Sequence, residues 1–148
     1  MPDVVKDRHL RQVRPDIFEF GQTNFKAQMD EAEDIVNRAL DARWYRRVAQ
    51  DNGLDYQTTP FEPAKMLNAD SQLWRVYTYK SLELIYLFLM KNTPNGDAFD
   101  RQRKIFAELY KEELSEILTA GIDYDFGGDD SIGAGENLVP SVRRLVRV

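Results

Sequence analysis

The stretch of the sequence richest in potential ligand side chains runs from Gly121 to Glu136 and reads GIDYDFGGDDSIGAGE. It contains five carboxylates and five glycines but no basic residue. Carboxylate oxygens are the ligands that calcium prefers, and glycine permits the sharp turn that a calcium loop needs. The composition therefore leaves two alternatives, a cation site or an acidic turn that lets the chain reverse direction.

The spacing of these carboxylates does not reproduce the calcium loop of an EF-hand. With Asp125 at the first position, Asp129 and Glu136 fall at the fifth and twelfth positions. However, Asp130 then occupies the sixth position, where the sharp turn requires glycine. Starting at Asp123 restores that glycine but places alanine at the twelfth position. We therefore favour a structural turn whose acids keep it solvated, and we expect no metal or other cofactor.

Side chains for nucleophilic or zinc chemistry are scarce. The chain has no cysteine and only one histidine, His9. Hydrolytic triads need a base that is usually histidine, and structural zinc sites are built from cysteine and histidine. The sequence also contains no GxxxxGK[ST] phosphate loop and no Glu-x-x-His pair of the di-iron bundles. We therefore expect a protein that is not an enzyme and has no catalytic residues.

The composition indicates one domain without a membrane span. Of the 148 residues, 43% are apolar and 30% are charged, which is enough for a core and a solvated surface. The net charge of −5 argues against nonspecific binding of DNA or of an anionic membrane by the body. The longest apolar run, Leu84 to Met90, is far shorter than the ~20 residues that a membrane-spanning helix needs.

Three long helices are predicted by apolar residues that recur three and four positions apart. The first covers residues 22–50 and ends before Gly53, which suits a left-handed cap. One or two helical turns should follow near Thr59, interrupted or shifted by Pro63, and the second long helix should begin at Asn68 or Asp70. The third should run from about Asp97 to Ala120. Because the loop before it is short, the second and third helices should form an antiparallel hairpin.

The end of the second long helix, LELIYLFLM, is apolar on almost every side. We expect Leu84, Ile85 and Phe88 to meet Phe106 at the centre of the hairpin. A helix that is apolar all round is buried all round. Either it is the central helix of one domain, or another subunit covers part of it. Leu84, Leu87 and Phe88 are therefore the interface candidates on the hairpin.

The two ends of the chain are predicted to be extended. Residues 1–20 read as an N-terminal arm, residues 21–120 as the helical body, and residues 121–148 as the acidic glycine loop followed by a basic tail. The tail, NLVPSVRRLVRV, is too short and too rich in valine to indicate a helix. Its interface candidates are Arg143, Arg144, Leu145 and Arg147. The predicted fold is thus all-α, a single-domain helical bundle with three long helices and extended ends.

In this layout, residues 20–148 resemble the head–tail connector proteins of tailed bacteriophages, also called adaptor or head-completion proteins. The segments that carry the resemblance are LWRVYTYKSLELIYLFL, FAELYKEELSEIL and the glycine-rich loop with its arginine-rich sequel. The resemblance implies a structural subunit of the virion, assembled in the host cytoplasm into a ring, commonly of twelve copies, beneath the portal. The partners that it implies are further copies of the chain, the portal protein and tail or neck proteins. DNA would be present only as the content of the channel.

Two other functions stay open from the sequence. One is a small helical regulatory or scaffolding protein that binds a single protein partner through a groove. The other is a carboxylate-based calcium-binding module. A ring subunit should form a large oligomer, a groove-binding protein should stay monomeric or dimeric, and a calcium module should melt at a calcium-dependent temperature.

Overall fold

The fold is an all-α helical bundle, as the sequence predicts, with one short pair of strands beside it. The computed structural model describes residues 6–20, 24–92, 96–126 and the backbone of Asn137–Leu138. The helices are α1 (Asp7–Val13), α2 (Lys26–Leu40), α3 (Arg46–Asp51), α4 (Ala69–Gln72), α5 (Trp74–Asn92) and α6 (Gly96–Ala120). Short 3-10 turns lie at Ile17–Glu19 and Pro63–Lys65, and the strands are β1 (Ile122–Asp123) and β2 (Asn137–Leu138).

The hairpin of α5 and α6 is the largest unit of the bundle and has the predicted antiparallel arrangement. Near the loop, the ring centroids of Tyr86 and Phe99 lie 5.9 Å apart. One to two turns further from the loop, Tyr79 lies 6.2 Å from Phe106. Tyr86 also stacks on Phe106 at 5.8 Å. Aromatic contacts therefore join the two helices over at least two turns.

The first predicted long helix is continuous from Lys26 to Asp51 but contains a π-helical turn at Asp41–Tyr45. The wider turn allows the consecutive residues Trp44 and Tyr45 to be buried together. Gly53, which follows the helix, has a positive φ of 75°. The predicted left-handed cap is therefore confirmed, because glycine reaches this region without steric cost.

The hairpin centre differs in part from the prediction. Ile85 and Phe106 are buried as expected, but Leu84 and Phe88 are only half-buried. The residues of this part of α5 that are buried are Leu82, Ile85, Tyr86 and Leu89. The buried face is thus rotated away from Leu84 and Phe88, so the prediction that these two form the centre is wrong. The helix is apolar on every side, and its neighbours α2 and α6 determine which side is covered.

The N-terminal segment is not an extended arm over residues 6–20, which corrects the prediction. Asp7–Val13 form the helix α1, and Ile17–Glu19 form a 3-10 turn. Leu10 and Ile17 are fully buried in the core. Burial of these two side chains against the bundle supplies the free energy that a seven-residue polar helix lacks in isolation.

The segment between α3 and α4 is held by aromatic packing rather than by the helix expected near Thr59. Only a 3-10 turn forms there, at Pro63–Lys65, so the helical segment is shorter than predicted and is shifted to Pro63, as expected. The hydroxyl of Tyr45 donates a hydrogen bond of 2.6 Å to the carbonyl of Thr59. The rings of Phe61 and Tyr124 stack at 5.8 Å. Side chains distant in sequence therefore fix this irregular stretch.

The two strands close the base of the acidic loop. Ile122 pairs with Leu138 and Asp123 with Asn137, in antiparallel register. On the other side of β1, the N–H of Leu67 donates to the carbonyl of Asp123 at 2.9 Å. Gly121, which has a φ of 92°, ends α6 and turns the chain into β1. The pairing supports the structural interpretation, in which this region reverses the chain.

Candidate interaction surfaces

The predicted hairpin interface lies on the outer side of α5. Leu84, Leu87 and Phe88 are half-buried and occupy neighbouring positions on the helix. We call these three residues the outer strip. Most of the apolar surface of α5 is used by the protein's own core, and in the described parts of the chain Ile105 is the one large apolar side chain that is exposed, at 49%. The outer strip is therefore a modest surface and not a wide apolar patch.

The predicted tail interface lies outside the described residues, since Arg143, Arg144, Leu145 and Arg147 follow Leu138. The start of the tail is nevertheless placed. Its first two residues form β2 against β1, and β1 directly follows α6 and Gly121. Leu138, the last described residue, therefore lies close to the C-terminal end of α6.

An acidic patch lies on the C-terminal half of α6. Glu112 and Glu116 are exposed and Glu113 is half-buried, and none of the three forms an ion pair within the described parts of the chain. Burial and the nearby carboxylate of Glu116 raise the pKa of Glu113, whereas Arg75 lowers it. The partial negative charge at a helix C-terminus adds to that of the side chains. This patch, Glu112, Glu113 and Glu116, is therefore suited to a cationic segment.

The described part of the acidic loop does not present its carboxylates to solvent. Asp123 and Asp125 are both buried. The amide of Asn68 donates a hydrogen bond to the carboxylate of Asp123, and the backbone N–H of Asp125 donates to the carbonyl of Lys65 at 2.9 Å. The expectation that the acids keep the turn solvated is thus wrong for these two residues. Asp129, Asp130 and Glu136 lie outside the described residues.

No cluster of three or more possible metal ligands occurs among residues 6–20, 24–92 and 96–126. Within these ranges, no helix is both long and apolar enough to cross a membrane.

A buried polar contact between α2 and α5 was not predicted from the sequence. The hydroxyl of Tyr77 donates a hydrogen bond to the side-chain oxygen of Asn37, and Glu33 is buried nearby. Burial raises the pKa of Tyr77, and the negative charge of Glu33 raises it further. The sequence did contain a signal, because Glu33 and Asn37 are four residues apart on the face that also carries Val36 and Leu40. Polar residues on an apolar face indicate a buried hydrogen bond.

The single histidine is also a buried contact, which the arm prediction missed. His9 is 6% exposed, and its ring stacks on Trp74 with 5.2 Å between centroids. Its Nδ1 accepts a hydrogen bond of 3.0 Å from the backbone N–H of Lys6. Burial lowers the pKa of His9, the charges of Arg8 and Lys6 lower it further, and Asp70 opposes them. His9 therefore links α1 to the first turn of α5 and has no nucleophile within its described contacts.

No family model, no curated protein and no solved structure matches this chain.

Proposed function

We propose that this protein is a structural virion subunit, a head–tail connector that assembles into a ring between the portal of a capsid and a phage tail. The observation that carries the proposal is the point at which the C-terminal segment leaves the body. β2 pairs with β1, β1 directly follows α6, and α6 carries the acidic patch. The proposed activity is assembly and not catalysis.

The distribution of charge supports a contact between the tail of one subunit and the body of the next. The 136 residues before β2 contain 17 basic and 25 acidic side chains, which gives a net charge of −8. The twelve residues from Asn137 onwards contain three arginines and no acid. Opposite charges of this kind align the two surfaces and accelerate their association. The tail therefore binds the acidic patch of a neighbouring copy.

A contact of this type repeats naturally around a ring. When the tail of one copy binds the body of the next, the two sides of the interface differ, and successive copies close into a cycle. The outer strip, Leu84, Leu87 and Phe88, supplies the apolar part of the contact. The portal and the neck or tail proteins then bind the two faces of the ring.

The first experiment measures the mass of the assembled protein. We expect native mass spectrometry of the full chain to detect a large oligomer, alone or in the presence of a portal ring. A chain that ends at Leu138 keeps β2 but lacks the arginines. It should retain its helical circular dichroism and its cooperative melting transition and should lose the oligomer or the attachment to the portal.

A charge-swap experiment then tests the acidic patch. Replacing Arg143, Arg144 and Arg147 by glutamate should abolish assembly. Replacing Glu112 and Glu116 by lysine should do the same, and mixing the two variant proteins should restore assembly in part.

The matched control for the patch is replacement of Glu19 and Glu31 by lysine, which changes the net charge equally at exposed sites on other elements. This control should assemble normally. A full chain that stays monomeric with and without a portal ring would refute the proposed function. Equal loss of assembly in the control would show that net charge, and not the acidic patch, is responsible.

A further inference from the structure

The helix α1 is attached to the bundle through few side chains. Its two buried residues are His9 and Leu10, and the helix packs on α5. The ring of His9 stacks on Trp74 with 5.2 Å between centroids, which places it at the first turn of α5. A seven-residue helix is not stable in isolation, so α1 depends on this packing.

His9 also closes the N-terminus of α1. Lys6 is the N-cap residue, and its backbone N–H donates a hydrogen bond of 3.0 Å to Nδ1 of His9, the third residue of the helix. A side chain at this position commonly accepts the N–H of the N-cap residue. The bond requires that Nδ1 carry no proton. The same ring therefore caps the helix and attaches it to α5.

The surroundings of His9 oppose a positive charge on its ring. His9 lies in the first turn of α1, where the positive end of the helix dipole disfavours a cation. Burial lowers the pKa of His9, and the charges of Arg8 and Lys6 lower it further, whereas Asp70 of α4 raises it. The balance of these effects favours the neutral ring.

Two other charged groups lie near this contact. Asp7 belongs to the same turn of α1, and the guanidinium carbon of Arg75 on α5 lies 5.1 Å from the centre of the Trp74 ring. These two groups carry opposite charges. Protonation of His9 therefore removes the cap of α1 and places an unfavourable charge in the contact between α1 and α5.

The chain that follows α1 has its own attachments to the bundle. Ile17 is fully buried. The ring of Phe18 lies 5.4 Å from that of Phe25, and Phe20 packs edge-on against Phe99 at 5.1 Å. These contacts hold the 3-10 turn in place whether or not α1 is docked.

We propose that α1 is an acid-released segment, which detaches from α5 in mildly acidic solution while the 3-10 turn at Ile17–Glu19 and the helices α2 to α6 stay folded. The release uncovers Trp74 and the surface against which Leu10 is buried. It is a property of the single subunit and does not depend on the proposed assembly. At pH 5.5, one unit below the ordinary histidine pKa of 6.5, protonation favours the detached helix by up to about tenfold.

Amide hydrogen exchange of the full chain, followed by NMR at pH 7.5 and pH 5.5 and corrected for intrinsic rates, measures the release directly. The reporters are the N–H groups of Leu10 and Arg14, which donate to the carbonyls of Lys6 and Leu10. Their protection should fall by about two- to tenfold at pH 5.5, while the amides of Ile17 and Glu19 keep theirs. No fall at Leu10 and Arg14 overturns the proposal, and so does an equal fall at all four amides, since a larger unit then unfolds.

His9→Gln tests whether His9 is the group that senses the acid. Glutamine at the third helical position can still accept the N–H of Lys6, but it does not titrate. The pH dependence of exchange at Leu10 should therefore disappear in this variant. If it persists, another group controls the release and the proposal fails.

Arg8→Gln tests the electrostatic part without touching the ring. Arg8 is exposed, and its charge disfavours protonated His9 in the folded protein. The variant should exchange normally at pH 7.5 and release α1 less at pH 5.5. Arg101→Gln, which removes an exposed arginine of α6, is the matched control and should behave as the unmodified protein. An equal effect in both variants, or none in Arg8→Gln, would contradict the proposed cause.

Discussion

Protonation of His9 is expected to weaken the docking of the N-terminal helix. In the folded protein, Nδ1 of His9 accepts the N–H of Lys6, so this nitrogen carries no proton. When the imidazole is protonated, both of its nitrogens become donors, and a donor then faces the donor of Lys6. The new charge also lies in a site that is 6% exposed and close to Arg8. The folded state therefore disfavours the protonated form.

The direction of the pH dependence follows from this lowered pKa. The ordinary pKa of histidine is 6.5, and the folded value lies below it. Between the two values the unfolded chain binds a proton that the folded chain does not, so acid favours unfolding. The stability contributed by neutral His9 is fully present above pH 6.5. It decreases as the pH falls through the folded pKa.

The magnitude can be worked from the contacts that protonation breaks. Protonation breaks the hydrogen bond from Lys6 to His9, and a typical intramolecular hydrogen bond contributes about 1 kcal/mol to stability. We therefore expect the free energy of unfolding to fall by about 1 kcal/mol from pH 7.5 to pH 5.5 because of this one group.

The assay benefits from the presence of a single histidine. An NMR titration of its imidazole protons gives the folded pKa without an assignment problem, and urea unfolding at several pH values gives the stability. His9→Gln serves as the reference, because carboxylate titrations are common to both proteins and cancel in the difference. The variant should be less stable at pH 7.5 and should approach the unmodified protein as the pH falls. A measured pKa at or above 6.5, or parallel stability curves, would refute this reasoning.

Three further outcomes test the packing and the acidic loop. Glu113→Gln should stabilise the protein at pH 7 by a few tenths of a kcal/mol, because burial and a neighbouring carboxylate raise the pKa of Glu113. Urea unfolding should show that this gain in stability disappears below pH 4.5. Ile85→Ala should lower the free energy of unfolding by about 2–5 kcal/mol, whereas Phe88→Ala, at a half-buried site, should cost less than a full core truncation. Millimolar calcium should not change the melting temperature of the unmodified protein or of the Asp129→Asn and Glu136→Gln variants. A rise that these changes abolish would establish a cation site.

Much of the fold could be predicted because its long helices carry a strong local signal. The apolar spacing of residues 22–50 and 97–120 indicated two of them, and Gly53 and Gly121 marked their ends. Gly53 has the positive φ that was expected of a left-handed cap, and Gly121 has a positive φ as well. These features depend on a few neighbouring residues, so one sequence is sufficient to find them.

The helix α1 could not be predicted because its signal is not local. Its sequence, DRHLRQV, has a single fully buried aliphatic residue, Leu10, and a seven-residue helix is not stable alone. The aromatic side chain of Trp74, more than sixty residues away, supplies the other half of its contact. Only the tertiary structure brings the two together.

The candidate interfaces were predictable only as segments. An apolar run such as LELIYLFLM shows that the helix is buried but not which side faces its own core. Contact of α5 with α2 and α6 determines which side is buried, and it leaves Leu84 and Phe88 only half-buried. The arginines of the tail were found from their charge, which needs no structure, whereas the exposure of Glu112 and Glu116 on α6 is seen only in the fold.

The short β1–β2 pair has a mechanical consequence for a subunit that is pulled by its tail. Tension on the segment beyond Leu138 acts first on a ladder of two residue pairs, which can open one pair at a time. Force reaches Tyr124, and through its bridge to Met66 the helical body, only after both pairs have opened. The β1–β2 pair therefore opens under tension before the helical bundle does.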